Sequence, residues 1–235
     1  MLALRDKSLL SLKSLADCSS GSIDILASSV PAQYILPELL GAFHKRYPNL
    51  TFHIKQSDTA QVVAGIAAHR GEIGFVGAKI ENPKCTYTDF LSEKLILIAP
   101  KDRRFENASI DEAVHLLRKE PFIIREVGSG TRLEYETCLK HLGLKMRDLK
   151  IVACFSNTQS IVHAVSSGLG LAIVSERAAR QYIQHQMIIP IPMDTVLERQ
   201  FYMVQKKNGL TSNATETLIK FAHAWNPHEI GAHAE

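Results

Sequence analysis

The stretch Arg125 to Arg132, REVGSGTR, sets two glycines, small hydroxyls and two arginines between an apolar strand-like run and a helix-like one. Two further stretches share its form: ASSV with Ser28, and SNTQ with Asn157 and Thr158. Each lies where a strand ends and a helix begins, so unpaired backbone N–H groups and the positive end of the helix dipole favour an anion there. The hydroxyls of Ser28, Ser129, Thr131 and Thr158 add donors that rotate to fit. Any one junction alone reads as an ordinary N-cap. Three of them, from two halves of the chain, read as a ligand cleft, because ligands of open α/β sheets gather at the carboxyl ends of the strands.

Other chemistries find less support. The Gly128–Gly130 pair lacks the third glycine of a dinucleotide fingerprint and the Gly-Lys-Ser/Thr of a phosphate loop. A serine or threonine nucleophile needs a base within hydrogen-bond reach, and none lies close by in the sequence, so no catalytic residue is assigned. His163 reads as a packed or surface histidine, Glu134 and Glu136 as a solvated helix face. His223, His228 and His233 are spaced too loosely for a metal site. Arg125 is placed to reach an anion or to pair inside its own half. Arg132, a cation on the first turn of a helix, opposes the dipole and calls for a partner, an acid or a ligand.

Around these residues the chain has 235 residues, 46% hydrophobic and 22% charged, with a net charge of +3. That suits a folded globular protein and is too mild a charge to imply a nucleic-acid surface. Cys18, Cys85, Cys138 and Cys154 show no metal-like spacing and are expected to be reduced thiols of a cytoplasmic protein. The first twenty residues are broken by Arg5, Asp6, Lys7, Lys13 and Asp17, which argues against a signal peptide or membrane span. No cofactor is implied.

The positioning elements alternate. Strands are expected over 22–28, LTFHIKQSD (50–58), IGFVGAK leading into a glycine turn, KLILIAP (94–100), PFIIRE, KIVACF, GLAIVSE, QMIIPIPM and RQFYMVQKK. Helices are expected after Val30, where Pro37 either begins the regular helix or kinks it, and over AQVVAGIAAHR, SIDEAVHLLRKE, RLEYETCLKHLGL, NTQSIVHAVSSG and NATETLIKFAHAW. A cap is expected at Ser109 or Asp111, and the last helix is expected to start at Asn213 or Thr215. This is an α/β pattern with parallel pairing and two halves that echo each other.

The order IDILASSVPAQYILPELLGAFHKRYPNLTF, GEIGFVGAK, LILIAPKD, REVGSGTR, FSNTQSIVHAVSSGLGLAIVSE and FYMVQKK resembles the effector-binding domain of LysR-type transcriptional regulators, from about Ser22 to Trp225. The resemblance implies an α/β fold of two Rossmann-like lobes, of the type 2 periplasmic-binding-protein kind. Lobe I would comprise residues 22–98 and 202–226 and lobe II residues 99–201, with crossings near Ala99–Pro100 and Phe201–Tyr202. Residues 1–21 would be the remnant of a linker helix and 227–235 a tail. It further implies effector contacts at Ser28, Ser29, Val30, Val76, Gly77, Ser129, Gly130, Thr131, Asn157 and Thr158. Val30 and Pro31 depart from the polar side chains of members that bind small oxyanions, which points to a larger or partly apolar ligand. The implied partners are a small anionic effector, a second copy of the chain in a homodimer or tetramer, and DNA only through a winged helix-turn-helix domain absent from this sequence. The dimer would set Leu39, Phe43 and the TFHIKQ edge against the helix from Thr158. A solute-binding protein of a transporter, or an enzyme on the same bilobal fold, are the alternatives.

Overall fold

The computed structural model describes residues 21–193 and 197–225. Expectations for Cys18, the first twenty residues, His228, His233 and the C-terminal tail lie outside them.

The chain opens with β1 (Gly21–Ala27), a π-helical turn (Pro31–Ile35) running directly into α1 (Leu36–Arg46), then β2 (Leu50–Gln56), α2 (Thr59–Ala67) and β3 (Ile73–Val76). In α1 the residues Leu36, Leu39, Leu40 and Phe43 recur at helical spacing and are buried. Pro37 stands in the first α-helical turn, where its missing N–H is no loss, so it begins the regular helix. Leu39 and Phe43 pack with Ile23, Ile25, Phe75 and Leu218 in the core of their own lobe. Both are fully buried, which corrects their expected place in a subunit interface. A buried leucine or phenylalanine contributes roughly 1.5–3 kcal/mol to the fold, and exposing these two would forfeit it.

β4 (Cys85–Pro100) is far longer than the expected strand over 94–100, because Cys85–Asp89 and Ser92–Leu95 pair antiparallel with β9 (Leu197–Lys206). Between them lie α3 (Ala113–Lys119), β5 (Pro121–Arg125), α4 (Gly130–His141), β6 (Lys150–Phe155), α5 (Thr158–Ser166), β7 (Ala172–Ser175), α6 (Glu176–Gln184) and β8 (Ile188–Ile191), and α7 (Asn213–Ala224) follows β9. α7 starts at Asn213, one of the two expected positions, and Ser212 caps it, its hydroxyl accepting from the Thr215 N–H.

The first lobe has the strand order β2-β1-β3-β9-β4, with β1 parallel to both neighbours and β9 antiparallel to β3. In the second lobe β4 pairs with β7 and β8, β5 pairs parallel with β6, and a bridge from Phe122 to Leu171 joins the two sets. The halves thus repeat one plan, as the echo in the sequence suggested. β4 and β9 run through both lobes, and their register breaks between Asp89 and Ser92. Ala99 and Pro100 lie farther on, where β4 pairs with β8. The second core gathers Leu97, Phe105, Leu117, Phe122, Tyr135, Leu139 and Ile173.

Candidate functional site at the lobe junction

Each strand-to-helix junction delivers its residues to one place between the lobes. At the end of β1 the Ser28 N–H donates to Phe75 O at 2.9 Å, which keeps the chain beside β3 as it turns through Ser29 and Val30. Asp58 caps α2, its Oδ1 accepting from the Gln61 N–H at 2.8 Å, and so sets Thr59 at the junction. From the second lobe come Arg125 at the end of β5, Ser129, Gly130 and Thr131 at the start of α4, and Thr158 at the start of α5.

Two buried arginines organise the junction. Arg125, 3% exposed, donates from Nη1 to Thr158 Oγ1 at 2.8 Å and from Nη2 to Ser29 Oγ at 3.0 Å, the latter across the lobes. Its Nε and Nη2 grip both oxygens of Glu126 at 2.8 Å, a bidentate fork that fixes the guanidinium plane. Arg199, 4% exposed, lies on the crossing strand β9 and donates from Nη1 to Thr131 Oγ1 at 2.8 Å. Its Nε donates to Glu93 Oε1 at 2.7 Å, Nη2 reaches the same oxygen, and Ser175 Oγ donates to Glu93 Oε2 at 2.7 Å. The guanidinium also lies 4.7 Å from the centre of the Phe201 ring. A side chain at Gly77 would put its Cβ 3.0 Å from Arg199 Nη1, so a glycine there admits the cation. Both charges are thus buried with a carboxylate and a hydroxyl, the arrangement that makes burial of an ion tolerable.

The lobes touch at this point. Gly130 N donates to Thr59 Oγ1 at 3.2 Å and Ala60 N to Gly128 O at 3.4 Å. Around them Ser28, Ser29, Val30, Asp58, Gly77, Arg125, Ser129, Thr131 and Arg199 enclose a cavity of about 10 Å³, room for the centre of one water molecule. A Cβ on Gly130 would fall 2.9 Å from Thr59 Oγ1 and 3.1 Å from Ala78 N, so close approach depends on glycine there.

Nearby groups are tuned by burial. The Tyr135 hydroxyl, which accepts from the Arg125 N–H at 3.2 Å, is pushed up to about 12 by desolvation. Burial likewise raises Glu134 above the usual carboxylate range, with Arg199 pulling the other way. Glu134 is therefore not part of a fully solvated face. Glu136 is the partner Arg132 required, accepting from its Nε at 2.7 Å, while Arg132 Nη1 donates to Arg125 O.

Of the residues singled out in the sequence, Ser28, Ser29, Val30, Gly77, Ser129, Gly130 and Thr131 line the cavity. Thr158 is fully buried against Arg125. Val76 turns instead into the core with Leu26, Val62 and Val204, and Asn157 caps α5 by accepting from the Ser160 N–H at 2.8 Å. His163 is on the surface. Arg199, Glu93, Asp58 and Thr59 escaped the sequence reading. Arg199 and Glu93 sit 106 residues apart inside strands, without a glycine or helix start to mark them.

One family model, LysR substrate binding domain, matches residues 17–227. The chain belongs to the LysR substrate-binding domain family. It has the family's type 2 periplasmic-binding-protein fold. An uncharacterized HTH-type transcriptional regulator of Methanocaldococcus jannaschii is 27% identical over 94% of this LysR domain and 74% of the relative. The phosphonates import ATP-binding protein PhnC of Anaeromyxobacter dehalogenans is 28% identical over 88% of the chain but only 41% of its own length. Among solved structures, the regulatory domain of Synechocystis CcmR in complex with 2-PG superposes with a TM-score of 0.77 at 22% identity, covering 87% of this chain and 97% of that one. Among the described residues no helix is long and apolar enough to cross a membrane, and no group of three metal-ligating side chains comes together.

Proposed function

We propose that this LysR domain is a sensor which holds a small anion between its lobes and passes the resulting change of lobe or subunit geometry to DNA-binding domains of a transcriptional regulator. The observation that carries the reading is the convergence of Arg125 and Arg199 with the hydroxyls of Ser28, Ser29, Thr131 and Thr158 at the lobe junction. Guanidinium forks and rotatable hydroxyls are the groups that recognise carboxylates, sulfates and phosphates. The relatives support the regulatory part: one carries the name of a transcriptional regulator, and a domain of the same fold was solved with 2-PG.

The junction as it stands is closed by its own hydrogen bonds, so an anion enters by parting the lobes. It then takes over donors now held by Glu93, Glu126 and the hydroxyls. An effector shifts the equilibrium only by its preference for one arrangement, and a site whose donors come from both lobes supplies that preference. Ser28, Ser29, Ser129, Gly130, Thr131 and Thr158 are the contacts assigned, with Arg125 and Arg199 added. Val76 and Asn157 act indirectly, through the core and the α5 cap. The lobes are taken to divide near Asp89–Ser92 and Gln200–Tyr202. The role is taken to be binding and not catalysis. The domain is taken to work in the cytoplasm as a homodimer, joined along the exposed edge of β2 and the outer face of α5, with Leu39 and Phe43 left in the core.

Small-angle scattering with and without sulfate, thiosulfate, phosphate and small carboxylates tests the sensor reading. A saturable change of radius of gyration or of subunit association with at least one anion is expected. Binding without either change would contradict signalling through geometry.

A further inference from the structure

A further open cavity lies apart from the small one at the lobe junction. It is a groove of about 500 Å³ between the first lobe, which supplies Gln33, Tyr34, Pro37 and Glu38, and the second, which supplies Gln159, Arg177, Arg180, Gln181 and Gln184. We propose that this groove is a second ligand site, for a small hydroxylated anion such as a sugar phosphate or a polyhydroxy carboxylate.

Two observations point to a ligand independently of the groove's size. Gln33 Oε1 and Arg177 Nε are buried side-chain atoms without a hydrogen-bond partner, and both residues line the groove. Buried polar atoms are nearly always paired, so an orphan acceptor and an orphan donor at one cavity are unusual. The nearest anion to Arg177 Nε is Glu93 Oε2, at 3.8 Å too far for a hydrogen bond. Gln33 Nε2 is engaged with Gln56 Oε1 at 3.1 Å, an exposed contact that gives way easily if the amide turns. Both atoms are closed to solvent as they stand, so an occupant meets them once the side chains turn toward the groove, a hydroxyl then donating to the Gln33 oxygen and an anionic oxygen accepting from Arg177. Arg180 adds a second cation against the single acid Glu38, and the amides of Gln159, Gln181 and Gln184 offer both donors and acceptors, which suits a ligand rich in hydroxyls.

The groove is also wired to the lobe junction. Glu93 stands between Arg177 and Arg199, and Arg199 donates to Thr131 Oγ1. A ligand that draws Arg177 away from Glu93 strengthens the hold of Glu93 on Arg199. Because the groove takes residues from both lobes, its occupant also favours one lobe arrangement.

The test is a titration of the whole chain with glycerol 2-phosphate, gluconate and inorganic phosphate, by calorimetry and by backbone amide shifts. Saturable binding of at least one hydroxylated probe is expected, with shifts at Gln33 and along α6. Affinity should fall at least about tenfold in Arg180→Gln and in Gln33→Leu, with the ligand-induced shifts of the parent chain centred on Gln33 and α6 and not on Ser28 and Ser129. Three results would overturn the proposal: no binding of any probe, binding with shifts centred on Ser28 and Ser129 that Arg180→Gln leaves intact, or binding that vanishes as the chain self-associates, which would make the groove a contact between copies.

Discussion

Removing the Arg199 guanidinium leaves Glu93 buried with the Ser175 hydroxyl and an arginine 3.8 Å away. Arg199→Met is therefore expected to lower stability by about 3–5 kcal/mol, measured by urea unfolding, whereas the double replacement Glu93→Leu with Arg199→Met recovers most of the loss. Glu134 gives a prediction of opposite sign. Its folded-state pKa is raised by desolvation, so its contribution is most favourable below the unfolded value and is lost as pH rises through the folded one. Glu134→Gln should raise the melting temperature at pH 7, and the difference should fade as the pH is brought below the ordinary carboxylate range. At this scale the sequence was legible where a residue's neighbours in the chain define its role. Ser28, Ser129, Thr131 and Thr158 stand at strand ends ahead of helices, and that spacing is local. Arg199 and Glu93 owe their importance to a pairing across two crossing strands, which no local pattern encodes.

The elements divide in the same way. α1 announces itself by Leu36, Leu39, Leu40 and Phe43 on one face, whereas α6 buries only Ala178 and Ala179 and carries arginines and glutamines elsewhere, so its apolar stripe is too thin to see. The first half of β4, CTYTDFLSE, was missed because its exposure does not alternate; its strand character comes from pairing with β9. The cap of α2 is a place where an element serves the site directly. Asp58→Ala removes the acceptor for the Gln61 N–H and should cost about 1 kcal/mol. The same helix start meets the opposite lobe through Thr59 and Ala60. Hydrogen exchange should accordingly quicken at Gln61 and also at Gly130, and acceleration confined to α2 would contradict the coupling.

For the whole molecule the question is what holds the lobes together. Gly130→Ala brings a methyl group to 2.9 Å from Thr59 Oγ1 and 3.1 Å from the Ala78 backbone, a contact relieved most readily by parting the lobes. The variant should be folded, with a larger radius of gyration in solution scattering than the parent. The bilobal plan itself was legible from the order of segments, since each half alternates strands and helices. The successive partners of β4 were not, because its pairing with β9 and then with β7 and β8 joins segments far apart in the chain. The central claim, that a small anion binds between the lobes, is tested most directly by thermal unfolding against sulfate, thiosulfate, phosphate and small carboxylates, with Thr131→Ala and Thr158→Ala alongside. At about a hundredfold excess over its dissociation constant a bound anion adds roughly 2.7 kcal/mol, a rise on the order of 5–10 °C for a chain of this size. The account predicts such a rise with at least one anion and its loss in both variants; a rise that both variants keep, or none with any anion, would contradict it.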